Sequence, residues 1–269
     1  MLSGLLDLLE GAEKSLMVQV IDTMLAVVRH KLDISLSDLV LETVWSVMWN
    51  LTDEAPRNSQ RFIDQHGMEI FLSCMETFPE DLDLLRNMLG VVGNIAEVPT
   101  CRCRLMTEAY IKKFTLLLSD RFALSYPAAG VLSHMASDGS AVWTIQKPSR
   151  DDVLKLLARA VNSWDIKTRL KIKFRSLGPF IGLLDVEHTI ECQIFATWTI
   201  ANLTNFKGDK YCPMVNDGLS RIRANIEKIT SSAASKQHGQ EERLLVLSQQ
   251  VIANMEDWNN RLFSRVSCQ

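Results

Sequence analysis

The 269-residue sequence contains no apolar run of the ~18 residues that a membrane span needs. It has no excess of basic side chains: 29 Lys and Arg against 32 Asp and Glu leave a net charge of −3. That is the wrong sign for the clustered positive footprint of a nucleic-acid-binding domain. Asp7 and Glu10 stand where a secretory signal would carry its basic stretch. Cysteines number six, few for this length. Cys101-x-Cys103 lacks a second Cys/His pair at zinc-ligand spacing, so ordinary thiols in a reducing cytosolic or nuclear compartment are expected, with no metal and no cofactor. There is no Gly-rich phosphate loop, no HExxH and no nucleophile elbow, so nothing indicates catalysis. Period-two alternation of β-branched residues is missing too, which argues against strands.

What remains is helix after helix, with apolar residues recurring at spacings of three and four. Several segments are almost uncharged: Val40 to Leu51, Leu84 to Ala96, Ala123 to Ala136 and Ile190 to Leu203. A helix apolar all round is covered on more than one side, as the third helix of an armadillo repeat is. Amphipathic partners lie between them, at Ser59–Cys74, Met106–Ser119, Asp151–Trp164 and Leu177–Leu184. Ile200-Ala201-Asn202 returns as Ile252-Ala253-Asn254, 52 residues on. The pattern predicts an all-α, armadillo/HEAT-like right-handed superhelical solenoid of about six repeats, forming a single domain over residues 1–269. Residues 1–34 should form N-terminal capping helices, and the polar stretch 230–241 a flexible loop.

Two short segments look like copies. Trp49-Asn50-Leu51-Thr52-Asp53-Glu54-Ala55-Pro56 and Gly93-Asn94-Ile95-Ala96-Glu97-Val98-Pro99 each carry an Asn, a carboxylate three residues later and a closing proline. Their Asn residues are 44 apart, within the roughly 40–47 residues of an armadillo or HEAT repeat. On a helix, Trp45, Trp49 and Asp53 share a stripe with Asn50 beside it, and Asn94 with Glu97 forms the matching stripe. No Lys or Arg lies between Val44 and Asp53 or between Asn87 and Glu97. Two carboxylates, two amides and an indole facing one space would suit a compact cation. An ammonium offers three donors and no acceptor, and an indole adds cation–π attraction and a wall. The alternative is structural: Asn bonding a neighbouring repeat, and Asp53 and Glu97 as helix-end residues, though a carboxylate there opposes the helix dipole. Trp45, His134, Trp198 and Asn202 could extend a groove, the last two with the Trp-x-x-x-Asn spacing of peptide-gripping armadillo helices. Trp143, Trp164 and Trp258 read as packing residues, and the basic stretch Arg169–Arg175 as a solvated surface.

The block Trp49 to Asn58 resembles the armadillo-like region of the Zyg-eleven/Zer-one family. The segments Gly93–Val98, Ala128–His134, Phe174–Phe180, Ala196–Trp198 and Lys210–Pro213 follow in the same order, so the resemblance covers roughly residues 35 to 225. That family supplies substrate receptors of cullin-two RING ubiquitin ligases that recognise N-terminal glycine. The resemblance implies a non-catalytic receptor whose N-degron pocket uses Trp49, Asn50, Asp53, Asn94 and Glu97. Its implied partners are proteins with a free N-terminal glycine, with no role for nucleic acid or membrane. Full-length members carry leucine-rich repeats and a cullin/elongin-binding box before this region. Neither is in this chain, so recruitment of that machinery would fall to regions absent from it. Pro127 stands where the family tends to have an aromatic residue. A different binding class, an importin-α-like groove for an internal basic peptide, would use several Trp-x-x-x-Asn helices, and only Trp198/Asn202 fits. A catalytic ligase would need a Cys in a polar or basic setting, whereas Cys74 and Cys192 lie in apolar helices.

Overall fold

The computed structural model describes residues 19–231 and 239–266. Every regular element among them is helical, so the chain is all-α. It divides into two compact units, one running to Val131 and one from Leu132. The sequence marks no linker there, because the division falls inside a helix. The expected N-terminal cap is helical over residues 19–33 (α1), and residues 1–18 lie outside the described residues. Of the expected loop, residues 230–231 end one helix, 239–241 open the next, and 232–238 lie outside the described residues.

The first unit continues with α2 (Leu39–Thr52), α3 (Pro56–Asp64), α4 (Gly67–Thr77), α5 (Leu82–Glu97), α6 (Pro99–Leu105), α7 (Glu108–Leu117) and the start of α8 (Phe122–Ser137). A short, a medium and a long helix recur: 9, 11 and 16 residues in α3–α5, then 7, 10 and 16 in α6–α8. This is the armadillo order. The second unit holds α9 (Arg150–Ser163), α10 (Gly178–Gly182), α11 (Ile190–Phe206), α12 (Gly208–Val215), α13 (Leu219–Ser231) and α14 (Gly239–Val266). There α12–α14 repeat the order with 8, 13 and 28 residues.

Local chemistry sets these boundaries. Asp38 and Asp81 cap α2 and α5 by accepting from Leu41 N and Leu84 N, each at 3.1 Å. Pro56 and Pro99 open α3 and α6, where a missing N–H costs nothing. They also push Ala55 and Val98 out of helical geometry, with ψ of 78° and 109°. The proline stops therefore place Asp53 and Glu97 at the C-terminal ends of α2 and α5.

The long helices are joined by asparagines. Asn94 Nδ2 on α5 donates to Trp49 O (2.8 Å) and Thr52 Oγ1 (3.0 Å) on α2. Asn254 Nδ2 on α14 makes the same pair of bonds on α11, to Ala201 O (3.1 Å) and Thr204 Oγ1 (2.9 Å). Two turns before Asn94, Asn87 Nδ2 reaches Glu42 O at 3.3 Å. The Asn94 clamp engages a carbonyl of the last turn of α2, where the intrahelical ladder runs out. Between clamps the contact is apolar: Leu41, Trp45 and Met48 of α2 and Leu84, Met88, Val91 and Ile95 of α5 are fully buried.

Candidate functional site

Of the sequence-predicted residues, Trp49, Asn50, Asp53, Asn94 and Glu97 all lie on the α2–α5 pair. Trp49 is half-buried and its indole rests on the backbone of Gly90. A Cβ at Gly90 would lie 2.3 Å from the ring carbons Cδ2 and Cε2. Only glycine lets the ring lie flat on α5 at that point. One turn on, a Cβ at Gly93 would meet nothing within 4 Å. Positions 90, 93 and 97 share a helical face. The face thus runs from the Trp49 ring, across bare backbone at Gly93, to the Glu97 carboxyl. It is an open trough with an aromatic end and an acidic end.

The acidic end holds three carboxylates. Burial first, then the charges of Asp53 and Glu54, push the Glu97 carboxyl up to about 8, while Arg102 acts in the opposite sense. Glu54 turns the chain between α2 and α3 with a φ of +54°, which brings its charge to this end. The absence of nearby cations expected from the sequence needs correction. Arg102, from α6, donates from Nε to Ala96 O (2.6 Å) and from Nη2 to Glu97 O (3.3 Å). The guanidinium caps the negative end of α5 and makes a carboxylate tolerable there. Arg102 lies only five residues beyond Glu97, and α6 brings it there by folding back on the end of α5.

The two amides differ from expectation. Both Asn94 donors are engaged by α2, so Asn94 cannot donate to a ligand without breaking the clamp. Its Oδ1 takes no hydrogen bond among the described residues and is left as an acceptor beside Glu97. Asn50 is exposed, with Nδ2 on Ser46 O of its own helix at 2.8 Å.

The groove-extension residues divide otherwise. Trp45 is fully buried and meets Phe62 edge-on at 5.9 Å; the i, i+4 stripe carries it into the core beneath Trp49. Trp198 and Asn202 are fully buried in the second unit. Trp198 packs on Trp164 at 5.2 Å, and Asn202 holds Ile166 O, Thr168 O and Leu170 N. These three are interior residues and open no groove to a ligand. His134 belongs to the second unit and is 5% exposed. The residues that the sequence reading passed over are Gly90, Glu54, Arg102 and Thr52. Only the glycines left a signal: Gly90-x-x-Gly93 inside a helix costs stability unless something needs the space.

Residues 3–257 match the family described as "Protein zer-1 homolog-like, C-terminal domain". The chain belongs to that family. It is 39% identical over 241 residues to Protein zer-1 homolog of Drosophila melanogaster, covering 77% of this chain and 30% of that protein. It is 40% identical over 220 residues to the Homo sapiens Protein zer-1 homolog, covering 80% and 29%. Zyg eleven-related protein 1 of Caenorhabditis elegans is 40% identical over 200 residues, covering 73% and 22%. The chain thus spans less than a third of these relatives' length. Among solved structures, the designed armadillo repeat protein YIII(Dq)4CqI aligns with a TM-score of 0.44 at 15% identity, over 89% of this chain and 98% of that one.

The two glycines of α5 should respond oppositely to alanine. Gly93→Ala should stabilise the unit by roughly 0.5–1 kcal/mol, because helix interiors prefer alanine and nothing obstructs the methyl. Gly90→Ala should destabilise by about 1–2 kcal/mol, because the methyl displaces the Trp49 ring. Denaturant melts check both signs. Glu97 should also give stability a pH dependence. Between its ordinary value of 4.5 and about 8, the folded chain keeps a proton that the unfolded chain has lost. Stability should fall as pH rises through that window and level off above it. Glu97→Gln should flatten that part of the curve, as melts across the window would show.

Proposed function

We propose that the α2–α5 trough binds the free N-terminus of an extended peptide, with glycine as its first residue. The observation that carries this reading is the bare backbone at Gly93 between an aromatic wall and a cluster of acceptors. An ammonium needs three acceptors, and Asp53, Glu97 and Asn94 Oδ1 can supply them. The amino group has a pKa near ~8 and is mostly charged at neutral pH. Trp49, fixed on Gly90, limits the room for a first side chain, and exposed Asn50 can turn its amide to the first peptide carbonyl. Family membership supports placing this activity in a substrate receptor of a cullin-two RING ubiquitin ligase, in the cytosol or nucleus. The ligase machinery would be recruited by parts of the protein outside this chain.

On this reading the chain selects substrates and performs no chemistry. Burial pushes the Cys74 thiol up to about 12 and those of Cys192 and Cys212 up to about 11, far from thiolate at neutral pH. The alternative of a groove for an internal basic peptide loses support from the burial of Trp198 and Asn202.

A peptide set varied only at residue one tests the proposal. Free Gly should bind best, Ala and Ser more weakly, and N-acetyl-Gly not measurably. Asp53→Ala or Glu97→Ala should weaken free-Gly binding by about tenfold to a hundredfold, since a charged hydrogen bond is worth ~1.5–3 kcal/mol. Equal binding of acetylated and free peptides, read by fluorescence anisotropy, would sink the idea.

A further inference from the structure

The basic stretch of the second unit has an order that a solvated surface does not require. From Lys167 to Arg175 every second residue is cationic: Lys167, Arg169, Lys171, Lys173 and Arg175, all exposed. No Asp or Glu occurs from Ile166 through Leu184. Residues 169–174 contain neither helix nor turn, and exposure alternates along them, which is the period of an extended strand. Leu170, Ile172 and Phe174 face inward. Leu170 is 3% exposed, and the Phe174 ring meets Phe180 edge-on at 4.8 Å.

One edge of this segment is paired, and by side chains. Leu170 N donates to Asn202 Oδ1 at 3.1 Å, and Lys207 Nζ donates to Ile172 O at 3.0 Å. Phe174 N donates to Tyr211 Oη at 3.0 Å, and Phe174 O accepts from Lys210 Nζ at 2.7 Å. These bonds stand in for the rungs of a sheet. In an extended chain the main-chain groups of alternate residues point to opposite edges. Those of Arg169, Lys171 and Lys173 make no hydrogen bond among the described residues. The other edge is therefore an open strand edge beneath a row of positive charge, the arrangement to which another extended chain adds. The charges reinforce one another: after burial, Arg169, Lys210 and Lys173 hold the Lys207 ammonium below its ordinary value.

We propose that residues 169–175 form a docking edge for an extended acidic segment of a partner protein, which adds as a strand and sets a carboxylate at every second residue against the cationic row. The two-residue spacing, roughly 6.6 Å along an extended chain, is the same on both sides of such a pair. A peptide suits this edge better than a nucleic acid. The open edge presents carbonyls as well as N–H groups, and a phosphodiester backbone offers no donor for the carbonyls. No exposed aromatic ring lies on the segment for bases to stack on. The site lies within the second unit and does not depend on the reading of the α2–α5 trough.

The test uses the full chain and a labelled ten-residue peptide alternating glutamate with threonine, followed by fluorescence anisotropy. Saturable binding is expected that weakens with salt and falls at least tenfold when glutamine replaces glutamate. N-methylation of either the glutamate or the threonine amides should abolish binding in one frame and spare it in the other. Lys171→Glu/Lys173→Glu should weaken binding at least tenfold with an unchanged thermal melt, while the peptide series needs no variant protein. Absence of saturable binding, equal binding of both methylated peptides, or tighter binding of an oligothymidylate of equal charge would each overturn the proposal.

Discussion

The bond pair from Asn94 to the last turn of α2 is the constraint from which the rest of the first unit's site follows. Its amide spans Trp49 O and Thr52 Oγ1, and so fixes both the height and the rotation of α5 against α2. With that fixed, the Trp49 ring has one place to lie, on Gly90. The ends of the two helices, each stopped by a proline, bring Asp53 and Glu97 to one end of the trough. The amide adds to a local network, since Thr52 Oγ1 itself donates to Met48 O (2.9 Å) and Trp49 O (3.2 Å). Asn254 repeats the geometry on Ala201 and Thr204, which makes the clamp a device of the repeat.

The acidic end of the trough is under tension. Like charges brought together out of water disfavour ionisation, and Glu97 responds by holding its proton into neutral pH. Arg102 offsets part of this, from a guanidinium that also bonds the carbonyls of Ala96 and Glu97. A bound cation would relieve what remains.

Much of the architecture was legible in the sequence. Helical periodicity and the absence of strand alternation gave the all-α class, and the repeated Asn, carboxylate and proline located the α2–α5 pair. The same repeat was ambiguous about what Asn does. Asn94 reads equally as a ligand group or as a clamp, and only its distances to α2 decide that its donors are structural. Trp45 and Trp198 show a second limit: i, i+4 spacing puts side chains on one stripe but not at one depth, and both lie in the core. Arg102 was hidden because its proximity comes from a chain reversal at Pro99. The alternation in 167–175 was plain in the letters, yet its meaning depends on Asn202, Lys207 and Tyr211, more than thirty residues away, pairing one edge and leaving the other open.

The central claim is that the trough takes a peptide ammonium against Glu97. Proton linkage tests it most directly. In the empty trough Glu97 is mostly protonated at pH 7, and a cation beside it should force ionisation. Titration calorimetry with a free glycine peptide, in buffers of different ionisation enthalpy, should register release of nearly one proton per peptide, lost in Glu97→Gln. Binding with no net proton release, or with proton uptake, would contradict the account.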